Sequence, residues 1–127
     1  MPVCGRVLTV NALLLVIALT LHGECGSLGN GCEEAVARVL ANRVGAPGFA
    51  TTMDGALAGF YARAEVPTPE SIRVARLLLT DPDALRDGRW YYVYSDDDMR
   101  TQGWGRGDWM ICHDGLCLHL AHDWPGG

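Results

Sequence analysis

Residues 7–21, VLTVNALLLVIALTL, form an apolar run that stops on His22-Gly23-Glu24. The glycine-rich stretch 26–31 then turns the chain into a second patterned segment that closes on Asn42-Arg43. Such a run demands burial. It falls short of the ~20 residues that span a bilayer, and Asn11 interrupts it, so no stable membrane span is expected. Two placements remain. The run is either a core helix or, following the single charge at Arg6, the apolar region of a signal peptide. Clipping near Gly23 or Gly26 would remove the helix that positions Glu24. Periodicity alone does not separate the two placements, and we read a core helix.

Glu24 is the residue that this arrangement singles out for chemistry. Desolvation by apolar neighbours, the negative end of a helix dipole and any nearby carboxylate would each raise its pKa. A carboxylic acid that stays protonated near neutral pH is what cleavage of a glycosidic bond requires. The competing reading is a solvated carboxylate at a helix end.

The 127 residues suffice for one domain, 1–127, with one hydrophobic core. A hydrophobic fraction of 49% and a charged fraction of 20% belong to a globular chain. The net charge of −5, without a basic run, argues against a nucleic-acid surface. Five cysteines in so short a chain point to an oxidising compartment or a metal site. Cys25/Cys32 and Cys112/Cys117 are each close enough to bridge a loop, which leaves Cys4 over.

The first helix is expected over Thr9–Glu24, with Thr9 as cap. Asn30 and Glu33 suggest a capping pattern for a second helix from about Cys32 to Val44, with Val36, Val39, Leu40 and Val44 inward. Glu34 and Arg38 are spaced to pair on its outer face, and Glu33 and Glu34 read as helix N-terminal charges. A short helix is expected near Thr52–Phe60, with Ala56, Leu57 and Phe60 inward. Another starts at Thr68-Pro69, with Ile72, Ala75, Arg76 and Leu79 marking its repeat. From Trp90 to Tyr94 the residues favour a strand, and 96–108 reads as a polar, glycine-rich loop carrying Trp104. Trp109–Cys112 and Leu116–Leu120 suggest a hairpin turning at Asp114-Gly115.

Three constellations bear on chemistry. Tyr61, Tyr92, Tyr94 and Ser95 are candidates to line a sugar site beside Glu24, by stacking rings and bonding hydroxyls, or else they pack a small core. Cys112, His113, Cys117, His119 and His122 superficially resemble a zinc site, but a disulfide with surface histidines is more economical, so no metal or other cofactor is expected. Asp96-Asp97-Asp98 lacks the spacing of a calcium loop and reads as a solvated segment.

The stretch 10–98 resembles the bacterial cell wall hydrolase family that includes spore-cortex-lytic enzymes. The resemblance rests first on Gly23-Glu24 and Asn42-Arg43, with Glu24 and Asn42 18 positions apart (24 to 42). It continues more weakly through Gly59-Phe60-Tyr61, Pro67-Thr68-Pro69-Glu70-Ser71 and Tyr92-Val93-Tyr94-Ser95. Where the family often has Thr-His before its aromatic pair, this chain has Trp90-Tyr91. The resemblance implies a mainly helical, lysozyme-like α+β domain with a small C-terminal β region. It also implies an enzyme, a lytic transglycosylase or a muramidase-type hydrolase, exported or acting at the cell wall, that cuts peptidoglycan glycan strands at the MurNAc–GlcNAc β-1,4 bond; the chain is read as a monomer. Lytic transglycosylase chemistry needs one acid/base, and Glu24 would supply it. Most glycosidases use two carboxylates, and a partner for Glu24 is not obvious in the sequence. The rival expectation is a disulfide-stabilised module that binds wall glycans without cutting them.

Overall fold

The computed structural model describes residues 9–29, 31–60 and 62–126. The expected Asn30 cap, the leftover Cys4 and the candidate Tyr61 fall outside these residues. Among the described residues the chain forms five α-helices and a three-stranded antiparallel sheet near its C-terminus, a mainly helical α+β fold. None of these helices is long and apolar enough to cross a membrane.

Helix α1 spans Val10–Cys25 and begins where Thr9 Oγ1 accepts the Ala12 amide at 3.1 Å. It ends at Gly26, whose positive φ of 54° lets the chain turn while its amide bonds the His22 carbonyl. Ile17, Ala18 and Leu21 are fully buried, so the C-terminal half of the apolar run is core, while Val10 and Leu15 stay exposed. The Cys25–Cys32 disulfide, with Cα atoms 5.8 Å apart, joins α1 to helix α2, Cys32–Arg43. Glu34 pairs with Arg38 at 3.1 Å as the spacing predicts.

Glu33 does more than charge a helix end. It is buried, accepts a hydrogen bond from Thr68 Oγ1 at 3.1 Å and faces His22 Nδ1 at 3.5 Å. It therefore ties α1 and α2 to the start of helix α4, Pro69–Thr80. Thr68 and Ser71 cap that helix reciprocally, each side chain bonding the other's amide. Its buried face is Ser71, Val74, Ala75 and Leu78, which corrects the predicted stripe: Arg76 is exposed, and Ile72 and Leu79 lie at the margins. Helix α3 is shorter than expected, Met53–Leu57, with Ala56, Leu57 and Phe60 buried.

Strand β1 (Tyr92–Ser95) pairs with β3 (Leu116–Ala121), which pairs in turn with β2 (Trp109–His113). The hairpin turns at Asp114-Gly115, both with positive φ (52° and 79°), as a two-residue turn between right-twisted strands requires. Cys112 and Cys117 face each other across it and are bonded. Residues 96–102, expected as loop, form helix α5, Asp96–Gln102. Ser95 Oγ accepts the Asp98 amide at 3.1 Å, three aspartates sit in the first turn where the helix dipole favours them, and Gly103 ends the helix in the left-handed conformation.

The bridge Cys25–Cys32 removes conformational freedom from the unfolded chain, and the sequence separation of 7 keeps that gain modest. Replacing both cysteines by serine should lower stability by about 2–3 kcal/mol in urea denaturation. No loss would mean that the Glu33–Thr68–His22 junction alone holds the helix ends.

Candidate active site

The site is assembled from the last turn of α2. Asn42 is buried, and its side-chain amide donates to the Trp90 carbonyl at 2.9 Å and to Asp87 Oδ1 at 3.0 Å. Its oxygen accepts the Gly88 amide at 2.9 Å. Arg43 Nε donates to the Tyr91 carbonyl at 2.7 Å, while the guanidinium lies over the rings of Phe49, Phe60 and Tyr92 at 5.2, 4.9 and 5.5 Å. Arg86, in return, donates to the Ala41 carbonyl at 3.0 Å. These bonds seat residues 86–91 against α2 and thereby deliver β1 beside the end of α1.

Between them opens a cleft of about 570 Å³, with Glu24 in its wall. Tyr92, Tyr94 and Ser95 line it, together with Arg43, Phe60, Asp98, Trp104 and Trp124. A second groove of about 320 Å³, bordered by Ser27, Leu28, Arg100, Cys25 and Cys117, also reaches Glu24 and Ser95. Glu24 thus stands where two grooves meet, accessible to an extended ligand from both sides.

Gly23 explains how the chain closes so tightly there. A Cβ on it would come within 2.8 Å of the Arg63 backbone, so only glycine admits the 62–64 segment beside α1. Ala64 donates to the Leu19 carbonyl at 3.0 Å, which holds this segment alongside α1.

Glu24 titrates above the ordinary glutamate range. Burial is the largest cause; the Ala62 amide acts against it, the charge of Asp98 adds to it, and Arg63 and Arg43 oppose it. The carboxyl is therefore biased toward its acid form.

The remaining candidates divide by role. Tyr92 lies in the cleft wall with its ring edge-on to Trp124 at 5.4 Å. Tyr94 is buried, donates its hydroxyl to the Gly105 carbonyl at 2.7 Å and stacks on His119, so it meets the cleft as a fixed wall. Ser95 faces the cleft while its oxygen caps α5; its O–H remains a donor. Trp124, 55% exposed, and Trp104 meet edge-on at 5.2 Å in the same cleft. Nothing in the residues around either tryptophan ties it to Glu24 in the sequence. Their aromatic character in a glycine-rich C-terminal stretch was the only signal.

His119 corrects the expectation of surface histidines: it is 1% exposed. Its Nδ1 accepts the Gly107 amide at 3.1 Å, so Nε2 carries the proton shared with Asp96 Oδ1 at 2.7 Å. Asp96 also accepts the Cys117 amide at 2.9 Å, and the bonds from His119 and Cys117 hold its carboxyl below the usual range. Asp96 is thus an anchor between α5 and β3, not part of a solvated loop. With Cys112 and Cys117 bonded to each other and His119 committed to Asp96, the zinc arrangement loses its ligands.

Compared with family models, with curated proteins and with solved structures, the chain matches none.

Two outcomes follow. Asn42→Ala would leave the Gly88 amide and the Trp90 carbonyl without their protein partner, and should cost about 1–2 kcal/mol in denaturant unfolding. For Glu24, a folded-state pKa above the unfolded one means that ionisation works against folding as pH rises through that interval. Glu24→Gln should therefore match the wild type at pH values below the ordinary glutamate range and melt higher at neutral pH. A variant that melts lower at neutral pH would show that the ionised carboxylate stabilises the fold.

Proposed function

We propose that this chain cleaves peptidoglycan glycan strands at the MurNAc–GlcNAc β-1,4 bond as a lytic transglycosylase, with Glu24 as the sole acid/base. The observation that carries the reading is Glu24 itself: a carboxyl biased toward protonation by burial, in the wall of an aromatic-lined cleft. Its acid form donates a proton to the bridging oxygen as the C1–O bond breaks and GlcNAc departs with its 4-hydroxyl. The carboxylate so formed takes the proton of the MurNAc 6-hydroxyl while that oxygen bonds to C1. The product is a 1,6-anhydro sugar, Glu24 regains its proton, and no water is consumed.

Tyr92 and Trp124 offer ring faces for pyranose stacking, and the Ser95 hydroxyl retains a proton to donate to a sugar oxygen. The bonded cysteine pairs suit an oxidising location outside the cytoplasm, at the wall where the substrate lies. The enzyme is proposed as a monomer, since Glu24 and the wall residues of the cleft belong to one copy.

A hydrolase is the second reading, and Asp98 motivates it. It shares the cleft with Glu24 and its charge acts on that carboxyl, as a water-activating base would. Asp98→Asn separates the two. In a transglycosylase it removes a charge that raises Glu24, so the alkaline limb of kcat/KM moves to lower pH while turnover persists. In a hydrolase it abolishes turnover.

The deciding measurement is mass spectrometry of soluble products from purified peptidoglycan, wild type beside Glu24→Gln. Anhydro-muropeptides from the wild type alone are expected. Reducing-end products would establish the hydrolase. Saturable binding to the sacculus by both proteins, without product, would replace cleavage by a glycan-binding module.

A further inference from the structure

Beside the cleft lies a shallower groove of about 260 Å³ that the mechanism leaves unused. Phe49, Tyr91, Tyr92, His122, Asp123 and Trp124 line it. Tyr92 and Trp124 belong to both lists of wall residues, so the groove continues the cleft past the edge-on contact between their rings.

The shelf is ordered before any ligand arrives. Tyr91 stacks on Phe49 with centroids 6.0 Å apart and planes inclined by 21°, and the His122 imidazole meets Tyr91 edge-on at 5.3 Å. The Arg43 guanidinium lies 5.2 Å over Phe49 and holds the Tyr91 carbonyl, so ring and backbone are both pinned. Rings held in this way lose little freedom when a ligand stacks on them.

Its chemistry selects an amphipathic ring. Aromatic faces take the C–H face of a pyranose, while the paired His122 and Asp123, 2.9 Å apart, and the tyrosine hydroxyls offer donors and acceptors to its hydroxyl rim. A nucleobase would also stack, but it brings phosphates. The chain carries a net charge of −5, and the Asp123 carboxylate is 94% exposed at the shelf, so a phosphodiester chain with one charge per nucleotide is disfavoured.

We infer that this shelf is a further sugar-binding subsite, seating a pyranose of the strand whose cleaved bond lies at Glu24. The inference rests on the glycan-cleaving reading. It makes the enzyme prefer long strands, which reach the shelf, over short oligomers, which fill only the cleft.

The test compares kcat/KM on a peptidoglycan tetrasaccharide and on long uncrosslinked glycan strands, for wild type and Tyr91→Ala. Wild type should favour long strands, and the variant should lose about tenfold of that preference, through KM on the long substrate. His122→Ala, an exposed position whose loss leaves the Tyr91–Phe49 stack, covers the case in which Tyr91→Ala fails to fold; it should lose part of the preference. An active wild type whose long-to-short ratio is unchanged in the folded variants overturns the subsite and leaves the cleavage reading standing. A wild type inert on both substrates overturns the cleavage reading, and the subsite with it.

Discussion

The hydrogen bonds from Asn42 and Arg43 to residues 87–91 are the constraint on which the rest of the site depends. A helix and a strand have no intrinsic reason to meet at one particular height. Here a buried amide satisfies an amide and a carbonyl of the passing chain, and a guanidinium bonds the next carbonyl. In another register the buried Asn42 amide would lose these partners, which favours the one observed. Arg43 also links this backbone role to the cleft, because its charge rests on Phe60 and Tyr92, two of the lining rings. The Asn-Arg pair that carries the family resemblance is thus, in this chain, a device that sets the strand beside the acid.

On the other side of the cleft a second anchor works by the same logic. Asp96 accepts bonds from His119 and from the Cys117 amide, and so fixes the start of α5 against β3. That fixes the neighbouring Ser95 and Asp98 with respect to Glu24. Gly107 permits it, since a Cβ there would come within 2.8 Å of His119 and of the Leu120 backbone. The cleft is held at both ends by polar contacts that each contain one buried side chain, Asn42 and His119.

Glu24 sits in a balance of opposing effects. Burial and Asp98 favour its neutral form, while the Ala62 amide and two arginines favour the ionised one. A group so placed works against folding when ionised at neutral pH, and it is suited to hand over a proton and take one back. The same tension between stability and chemistry accounts for Gly23, which gives up helix propensity so that a backbone segment can approach the carboxyl.

Local patterns carried much of the fold. Thr9, Thr68-Pro69 and Asp114-Gly115 marked helix starts and a turn because caps and tight turns are decided by neighbours in sequence. Even the missed helix α5 had its signals in Ser95, the three aspartates and Gly103; the polar composition of the stretch obscured them. The α4 face was misjudged because alternative apolar stripes overlap on a helix carrying Ile72, Val74, Leu77, Leu78 and Leu79, and only its packing chooses between them. Glu24, Tyr92 and Ser95 could be proposed as neighbours from the family resemblance. That Trp104 and Trp124 complete the wall, that Arg43 underlies it, and that Glu33 and His119 are buried ties were tertiary decisions. Most helix starts and the hairpin turn were legible in local pattern, since the bonds that set them join residues a few positions apart. Which side chains face one cleft was settled by packing, because those contacts join residues tens of positions apart and no local preference records them.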